Sequence, residues 1–240
     1  MSADPTQLQA LVANGTVRMR WAPEIMDCPA PFAGTIVDSD RVRGMLLGLA
    51  IGDALGNTSE AMVPRERRAL VGEIRDYRPN RHAGSRGVGL PSDDTQLAFW
   101  IVEHLLEHGS IQPDALARTF SSRHIFGIGR TMRAFVRAWH GRQDWRQAAQ
   151  ASAGNGALMR IAPVLLPHLK SGSAGLWADA ALGTAVTHND PAAISSSIAF
   201  VGLLAELISS ESVPETDWWV CRYVELSRPV EGEVGRCTVS

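Results

Sequence analysis

The sequence predicts an all-α protein, built as a compact bundle of many helices. From Asp40 onward, apolar residues recur at helical spacing, whereas no segment shows the strict apolar–polar alternation of a half-buried strand. The breaks between the periodic segments are short and carry Gly, Pro, Asn and Asp, which favour turns and helix ends. No internal repeat is visible. These observations together favour one helical domain over a sheet or a repeat array.

We expect ten helices in a domain that covers residues 39–240. Their expected spans are 41–56, 64–72, 93–108, 112–122, 130–140, 143–151, 157–169, 175–186, 191–209 and 214–226. Residues 1–38 differ from the rest because four prolines punctuate them. Their only helix candidate is short, near residues 7–12. We therefore interpret residues 1–38 as an N-terminal extension or arm.

Composition and charge exclude several classes of protein. The formal net charge of −2 offers no broad basic surface to nucleic acid. Cys28, Cys221 and Cys237 are far apart and odd in number, which fits neither a disulfide framework nor a zinc site and suits a reducing cytoplasm. The chain does not open with a basic segment followed by an apolar run, and no stretch approaches eighteen apolar residues. We therefore expect neither a signal peptide nor a membrane span.

The first long helix carries a stripe of glycines. In GMLLGLAIGDALGNTSE, a glycine occupies every fourth position over 44–56, which places all four near one face. Each interior glycine costs a helix about 1 kcal/mol relative to alanine, so we expect the backbone of another helix to pack closely against this face. Asp53, Asn57 and Glu60 gather where the helix ends. Glu60 follows the glycine break and is expected on a loop beside the mouth of the bundle.

The helix expected over 93–108 begins with two adjacent carboxylates. Ser92 is a suitable N-cap residue, and acidic side chains in a first turn interact favourably with the helix dipole. Capping alone accounts for Asp93 and Asp94. The same residues also present clustered hard oxygens, which suit Mg²⁺ or Mn²⁺ and whose mutual repulsion a divalent cation would relieve. The residues by themselves leave both interpretations open.

Two glycine-containing turns and one histidine complete the candidate residues. Gly154, Asn155 and Gly156 precede a helix expected to start near Ala157, and such a turn can expose backbone N–H groups to an anion such as a pyrophosphate. A second turn of this type contains Gly127 and Gly129. His188 lies just outside the start of a helix that Asp190 is expected to cap. Each of these features alone also fits an ordinary turn or surface position.

Five stretches in order give the chain a family resemblance: GMLLGLAIGDALGNTSE, SDDTQLAFW, GIGRTMRAF, GNGALMRIAP and THNDPAAISS. In sequence and spacing they resemble the ADP-ribosylglycohydrolase family, which includes the dinitrogenase-reductase activating glycohydrolase, over roughly residues 41–207. The resemblance implies an all-α fold. It also implies hydrolysis of the bond between ADP-ribose and an acceptor, often an arginine or serine side chain, with a pair of Mg²⁺ or Mn²⁺ ions.

The resemblance implies a role for each candidate residue. Glu60 matches an acidic residue on a mobile loop near the metals, and the Ser92–Asp94 segment matches the first metal-binding segment. The loop under the diphosphate corresponds to Gly154, Asn155, Gly156 and Ala157, and two further positions, Met159 and His188, line the ADP-ribose cleft. Gly127 and Gly129 match a glycine loop near the distal ribose.

The sequence also departs from the family pattern. A late Asp-x-Asp-Thr segment, which in the family completes both metal sites, does not occur in these 240 residues. Three explanations of this missing segment are expected: the domain is truncated at its C-terminus, a partner supplies the missing part, or the protein has lost full activity. With only Ser92, Asp93 and Asp94 present, we expect one metal to be well held.

Three functions are consistent with these features. The first is a metal-dependent hydrolase that removes ADP-ribose from a modified protein side chain or a related conjugate. The second is a module that binds ADP-ribose or an ADP-ribosylated protein without turnover. The third is an inhibitor or immunity protein whose N-terminal arm inserts Arg18, Arg20 and Trp21 into the cleft of an ADP-ribosyltransferase.

Overall fold

A computed structural model describes residues 4–32, 37–80, 84, 87–142, 144–170 and 172–232. Over these residues the protein is all-α, as predicted, and its only β-type pairings are two isolated bridges, Pro79 with Val88 and Gln150 with His188. The α-helices are α1 Pro5–Ala13, α2 Pro23–Met26, α3 Ser39–Gly56, α4 Pro64–Leu70, α5 Asp93–His108, α6 Pro113–Ser122, α7 Arg130–Arg142, α8 Trp145–Ala148, α9 Gly175–Ala185, α10 Pro191–Ser209 and α11 Thr216–Glu231. Short 3₁₀ segments cover Asn57–Ser59, Leu158–Arg160 and Ala162–His168.

Helices α9 and α10 form the centre of the bundle. Every residue of α9 is buried, and α10 packs between α9 and α11. Large side chains from other helices, among them Phe120, Phe135 and Trp145, are completely buried and belong to the same core cluster. Since burial of one such side chain contributes roughly 1.5–3 kcal/mol, this apolar core is the main source of stability.

Helix α10 is a longer apolar segment than the sequence was expected to contain. By length and composition it is apolar enough to cross a membrane, although no such stretch was expected. In this fold it is a core helix, because most of its apolar side chains are buried among α9, α11 and the segment Ala162–His168. Its start is as predicted, with Pro191 in the first turn and the Asp190 side chain accepting a hydrogen bond from the Ala192 backbone N–H at 3.0 Å.

Two expected helices are shorter or of another type. The helix expected over 157–169 is replaced by the 3₁₀ segments Leu158–Arg160 and Ala162–His168. Pro163 and Pro167 lack the N–H group that a continuous α-helix requires, so the predicted α-helix was wrong here. The helix expected over 143–151 is limited to α8, and residue 143 lies outside the described residues. The chain leaves α8 because Gln150 pairs with the backbone next to His188.

The N-terminal segment lies on the helical domain and contributes to its core. Leu8, Met26 and Phe32 are almost completely buried. The Asn189 side chain joins this segment to the start of α10, because its amide donates to the Thr16 carbonyl at 2.7 Å and its oxygen accepts from the Arg18 N–H at 2.9 Å. The described part of the expected arm is therefore packed against the domain.

The glycine face of α3 is open, contrary to the expectation that another helix packs closely on it. A Cβ atom built on any of the four glycines over 44–56 meets no described atom within 4 Å. Ala54 is the only buried residue of this helix. Toward the N-terminal half, the face borders an apolar groove of about 620 Å³ between α3 and α10. Toward the C-terminal end, Gly52 and Gly56 border a polar cavity.

Candidate active site

The polar cavity has a volume of about 390 Å³ and collects chain segments that are far apart in sequence. Its lining comprises Gly52, Asp53, Gly56, Asn57, Glu60, Ser92, Asp93, Asp94, Gly127, Gly129, Thr131, Met132, Gly154, Asn155, Gly156, Met159 and His188. All candidate residues from the sequence are among them except Ala157, which is buried beside the cavity. The fold thus places the acidic helix start opposite the glycine loop and His188, across a single space.

The acidic wall is the first turn of α5. Ser92 caps the helix, with its Oγ accepting from the Asp94 N–H at 3.4 Å. Burial and the neighbouring carboxylates raise the pKa of Asp93 to about 6. Burial, together with Asp53 and Glu60, raises the pKa of Asp94 to about 6 as well. These carboxylates therefore repel one another near neutral pH, which is the electrostatic situation that a bound cation relieves.

Asp53 anchors this acidic turn, although the sequence did not identify it as a site residue. Its carboxylate accepts hydrogen bonds from the Ser92 N–H and Oγ, both at 2.7 Å, and from the Thr95 N–H and Oγ1 at 3.1 and 2.7 Å. The end of α3 is thereby locked onto the start of α5. The sequence signal was the clustering of Asp53 with Asn57 and Glu60, but nothing local indicated Ser92 and Thr95 as its partners.

Glu60 stands at the mouth of the cavity. The 3₁₀ segment Asn57–Ser59 ends α3, and Glu60 follows it in an extended conformation with an exposed side chain. Ala61 then adopts a φ of 60°, in the left-handed region that residues other than glycine rarely occupy. The helix end and this turn together place the Glu60 carboxylate on a loop beside Asp93 and Asp94, as expected from the sequence.

The opposite wall is the glycine loop before the first 3₁₀ segment. A Cβ atom at Gly156 would lie 2.9 Å from Nε2 of His188 and 3.0 Å from its Cε1, so only glycine fits there without movement of the ring. The Ser152 Oγ lies 3.0 Å from the Thr131 Oγ1, which ties this loop to the start of α7. Gly127, with a φ of 77°, turns the chain into the same corner.

Arg160 lies completely buried beneath the glycine loop and was also missed from the sequence. Its Nη1 donates to the Gly156 carbonyl at 2.8 Å, and its Nη2 donates to the Thr187 Oγ1 at 2.6 Å. The guanidinium carbon also lies 4.6 Å from the centre of the Phe120 ring. Burial lowers the pKa of Arg160 to about 9, so the guanidinium stays positively charged at neutral pH.

His188 is buried and neutral. Burial and the charge of Arg160 lower its pKa to about 3. Its Nδ1 lies 2.9 Å from the Thr187 Oγ1, and the backbone on either side of it pairs with Gln150. The ring is therefore held from below while its other edge faces the glycine loop.

The carboxylate and hydroxyl oxygens on the acidic wall are atoms of the type that a hard divalent cation prefers. Among the described residues, no three His, Cys, Asp or Glu side chains converge closely enough to hold an ion alone. Mg²⁺, however, is commonly held by one or two carboxylates, with water and substrate oxygens completing its shell. Asp93 and Asp94, with Ser92 beside them, match that mode of binding.

Comparisons with known proteins point to one family. The family profile for ADP-ribosylglycohydrolase matches residues 35–237. The chain is 32% identical over 175 residues to the ADP-ribosylarginine hydrolase Tri1 of Pseudomonas putida, covering 65% of this chain and 43% of that protein. It is 29% identical over 185 residues to the ADP-ribosyl-[dinitrogen reductase] glycohydrolase of Rhodospirillum rubrum, covering 72% of this chain and 60% of that protein.

A solved structure agrees with these relatives. The chain superposes on a protein titled "ADP-ribosylglycohydrolase-related protein complex" with a TM-score of 0.59 and 27% identity, over 72% of this chain and 58% of the other. The chain spans about half the length of the curated relatives that it matches. The profile match covers most of the sequence, and the fold and the ordered motifs agree with it. This chain belongs to the ADP-ribosylglycohydrolase family.

Proposed function

We propose that the protein is a metal-dependent hydrolase that removes ADP-ribose from a modified protein side chain. The observation that carries the proposal is the polar cavity itself, where an acidic wall and a glycine loop with a buried histidine face each other. Such a cavity can hold a charged diphosphate at one side and a glycosidic bond at the other. Membership of the family makes ADP-ribosyl conjugates the natural substrate class.

The glycine loop and His188 would bind the diphosphate part of the substrate. Glycines leave the loop backbone accessible, and backbone N–H groups in such a turn favour an anion. The buried charge of Arg160 below the loop adds a positive potential at the same wall. These residues would orient the ribose so that its C1″ atom points toward the acidic wall.

Glu60 would act on the bond that breaks. Glycoside cleavage passes through a transition state with oxocarbenium character at the sugar carbon. The exposed Glu60 carboxylate at the cavity mouth would guide the attacking water or deliver a proton to the leaving group. Its loop position allows it to serve a substrate that enters from solvent.

Asp93 and Asp94, with Ser92, would hold Mg²⁺ or Mn²⁺. When bound, such an ion orients the ribose hydroxyls and lowers the pKa of a bound water. Asp53 holds these ligands in place through its hydrogen bonds to Ser92 and Thr95. Burial and the nearby carboxylates raise the pKa of both aspartates, and a cation here would relieve the repulsion between these carboxylates.

Turnover of a defined substrate tests this proposal. The full chain is incubated with an ADP-ribosylated arginine peptide and, separately, a serine peptide, with Mg²⁺ or Mn²⁺, and free ADP-ribose is measured. We expect release from one peptide, a loss of about 100-fold or more in Glu60→Gln, and ADP-ribose affinity within a few-fold of the parent. Glu66→Gln, at an exposed position on α4, is the matched control and should be fully active. Equal loss of binding and turnover in Glu60→Gln would make Glu60 a structural residue.

A binding module without turnover is the second candidate. It is favoured by the observation that the described residues supply no three-carboxylate metal cluster. This function predicts that ADP-ribose binds while neither peptide releases it. The inhibitor hypothesis has less support, because Arg20 donates to the carbonyl groups of Arg228 and Pro229 and Trp21 packs against the core. Those side chains engage the domain itself.

A further inference from the structure

Three buried polar side chains form a chain of hydrogen bonds beneath the glycine loop. They are Arg160, Thr187 and His188, and all three are at most 1% exposed. We propose that Arg160 and Thr187 are positioning residues that hold His188 as the tautomer with its proton on Nε2. The ring would then present an N–H donor under the glycine loop.

The direction of these hydrogen bonds follows from the donor inventory. A guanidinium only donates, so the Thr187 Oγ1, 2.6 Å from Nη2 of Arg160, accepts from it. The hydroxyl still has one proton to donate. Its other partner among the described residues is Nδ1 of His188, at 2.9 Å. The hydroxyl therefore donates to Nδ1, and in a neutral imidazole the ring proton is then on Nε2.

The opposite tautomer is unfavourable in this environment. With the proton on Nδ1, the Thr187 oxygen would accept twice and its own proton would have no described acceptor. An unsatisfied buried donor costs about 1–3 kcal/mol. The doubly protonated ring is disfavoured as well, because burial and Arg160 lower the pKa of His188 to about 3. Arg160 thus contributes twice, by charge and by hydrogen bonding.

The Nε2 edge of the ring is directed at the glycine loop. Cβ atoms built on Gly156 and Gly154 would lie 2.9 and 4.0 Å from Nε2. The backbone fixes the ring from the other side, since the Gln150 N–H donates to the Thr187 carbonyl at 3.0 Å and the Asn189 N–H donates to the Gln150 carbonyl at 2.8 Å. A donor in this place suits an acceptor oxygen, and the assignment of that oxygen to the ADP-ribose diphosphate rests on the proposed function.

Nitrogen NMR on the full chain tests the tautomer directly. Protein labelled with ¹⁵N-histidine is prepared as the parent, Thr187→Val, Thr187→Ser and the control Thr184→Val. Thr184 is also fully buried, but its hydroxyl donates to the Ala180 carbonyl within its own helix. We expect long-range ¹H–¹⁵N correlations to show His188 protonated at Nε2 in the parent, the serine variant and the control. In Thr187→Val the Nδ1–H form should become populated.

If His188 of the parent protein carries its proton on Nδ1, the proposal is overturned. This measurement uses the parent alone and does not depend on the folding of any variant. A valine variant with an unchanged tautomer would overturn the role of Thr187.

Calorimetry with ADP-ribose then tests whether the donor matters for binding. We expect Thr187→Val to weaken affinity by about tenfold, the upper end for one hydrogen bond. Thr187→Ser and Thr184→Val should bind as the parent does. If the tautomer changes while affinity does not, His188 is not a donor to this ligand. If the parent shows the Nε2 tautomer but no ADP-ribose binding, the proposed function fails and the positioning by Arg160 and Thr187 stands.

Discussion

Two charged side chains, the half-buried Asp53 and the fully buried Arg160, organise opposite walls of the cavity. Asp53 receives hydrogen bonds from both ends of the Ser92–Thr95 turn and so sets where the acidic wall lies. Arg160 donates to the Gly156 carbonyl and to Thr187 and so sets where the glycine wall lies. Because a charge removed from water is stabilised by the hydrogen bonds that it makes, each of them restricts the conformation of its wall.

Gly156→Ala should damage the ligand wall with little effect elsewhere. The added Cβ would lie 2.9 Å from Nε2 of His188, closer than van der Waals contact allows, so the ring or the loop must move. We expect ADP-ribose affinity to fall by at least about tenfold, equivalent to 1.4 kcal/mol. Calorimetry measures this, and Gly154→Ala, where the nearest atom is the Ser152 Oγ at 3.3 Å, is the milder control. Unchanged affinity in Gly156→Ala would place the ligand away from this loop.

The acidic wall should make stability depend on pH. Folding raises the pKa of Asp93 and Asp94 from 3.8 to about 6. At pH values between these two pKa values, the folded state therefore binds more protons than the unfolded chain. The contribution of these two aspartates to the stability of the folded state is therefore favourable at low pH and is lost as the pH rises from about 4 through 6. His188, whose pKa is lowered, has the opposite dependence. For this reason the difference between the parent and Asp93→Asn is the informative quantity.

We compare the free energy of unfolding of Asp93→Asn with that of the parent in EDTA. As the pH is raised from 5 to 7, we expect the variant to become more stable relative to the parent by about 1–3 kcal/mol. Melting curves at both pH values measure the gain. Mn²⁺ at pH 7 should raise the melting temperature of the parent and have little effect on the variant, with Ca²⁺ as a control for general ionic effects. If millimolar Mn²⁺ leaves the melting temperature of the parent unchanged, the metal is not part of the function of this chain.

At the scale of elements, α3 is unusual because no described residue packs closely on its glycine stripe. The stripe borders the apolar groove at one end and the polar cavity at the other, and Leu47 and Ile51 beside it remain 60% and 44% exposed. Other positions hold the helix in place: Asp53 and Ala54 near its end, Val42 and Met45 on the core, and Arg41 through the carbonyl groups of Leu207 and Ser210. Its conformational cost is therefore not offset by close packing of the glycines within the described fold.

Gly48→Ala should stabilise the protein. In the part of the chain that the structure describes, the new Cβ meets no neighbouring atom within 4 Å, so alanine gains its helix propensity of about 0.5–1 kcal/mol without a clash. Urea denaturation measures the free energy of unfolding. The matched control is Gly183→Ala in α9, where Cδ1 of Ile161 lies 3.0 Å from the added atom and overpacking should destabilise. Destabilisation by Gly48→Ala would show that something packs on this face in solution.

At the scale of the whole molecule, residues 5–32 pack into the same core as the helices that follow. Their apolar side chains enter the same core cluster as α5, α9 and α10. The hydrogen bonds of Asn189 join positions separated by more than 170 residues. Such contacts form only when the domain as a whole is folded.

Leu8→Ala should therefore destabilise the entire protein. Leu8 is 0% exposed, and truncation of a buried leucine costs about 2–5 kcal/mol. Leu70, which is 74% exposed, is the control, and Leu70→Ala should change the free energy of unfolding by less than about 0.5 kcal/mol. Urea denaturation of both variants distinguishes a core segment from a dispensable arm. An equal, small effect in the two variants would favour the arm.

The sequence by itself determined the features that depend on near neighbours. Helical periodicity and caps such as Ser92 and Asp190 predicted most helices to within a few residues, because hydrogen bonds and side-chain spacing in a helix are local. The ordered motifs predicted the family, and the candidate residues that they supplied include eleven of the seventeen residues that line the cavity. The α-helix expected over 157–169 failed despite its periodicity, since two prolines removed the donors that it needed.

Only the tertiary structure decided how distant segments meet. Asp53 lies 39 residues from Ser92, and Arg160 lies 27 residues from Thr187, so no local pattern pairs them. The same holds for Leu8, whose burial depends on helices far along the chain. The free energy of these contacts comes from burying groups that meet only after the chain has packed. Sequence periodicity reports which face of a helix is apolar, and not which partner covers it.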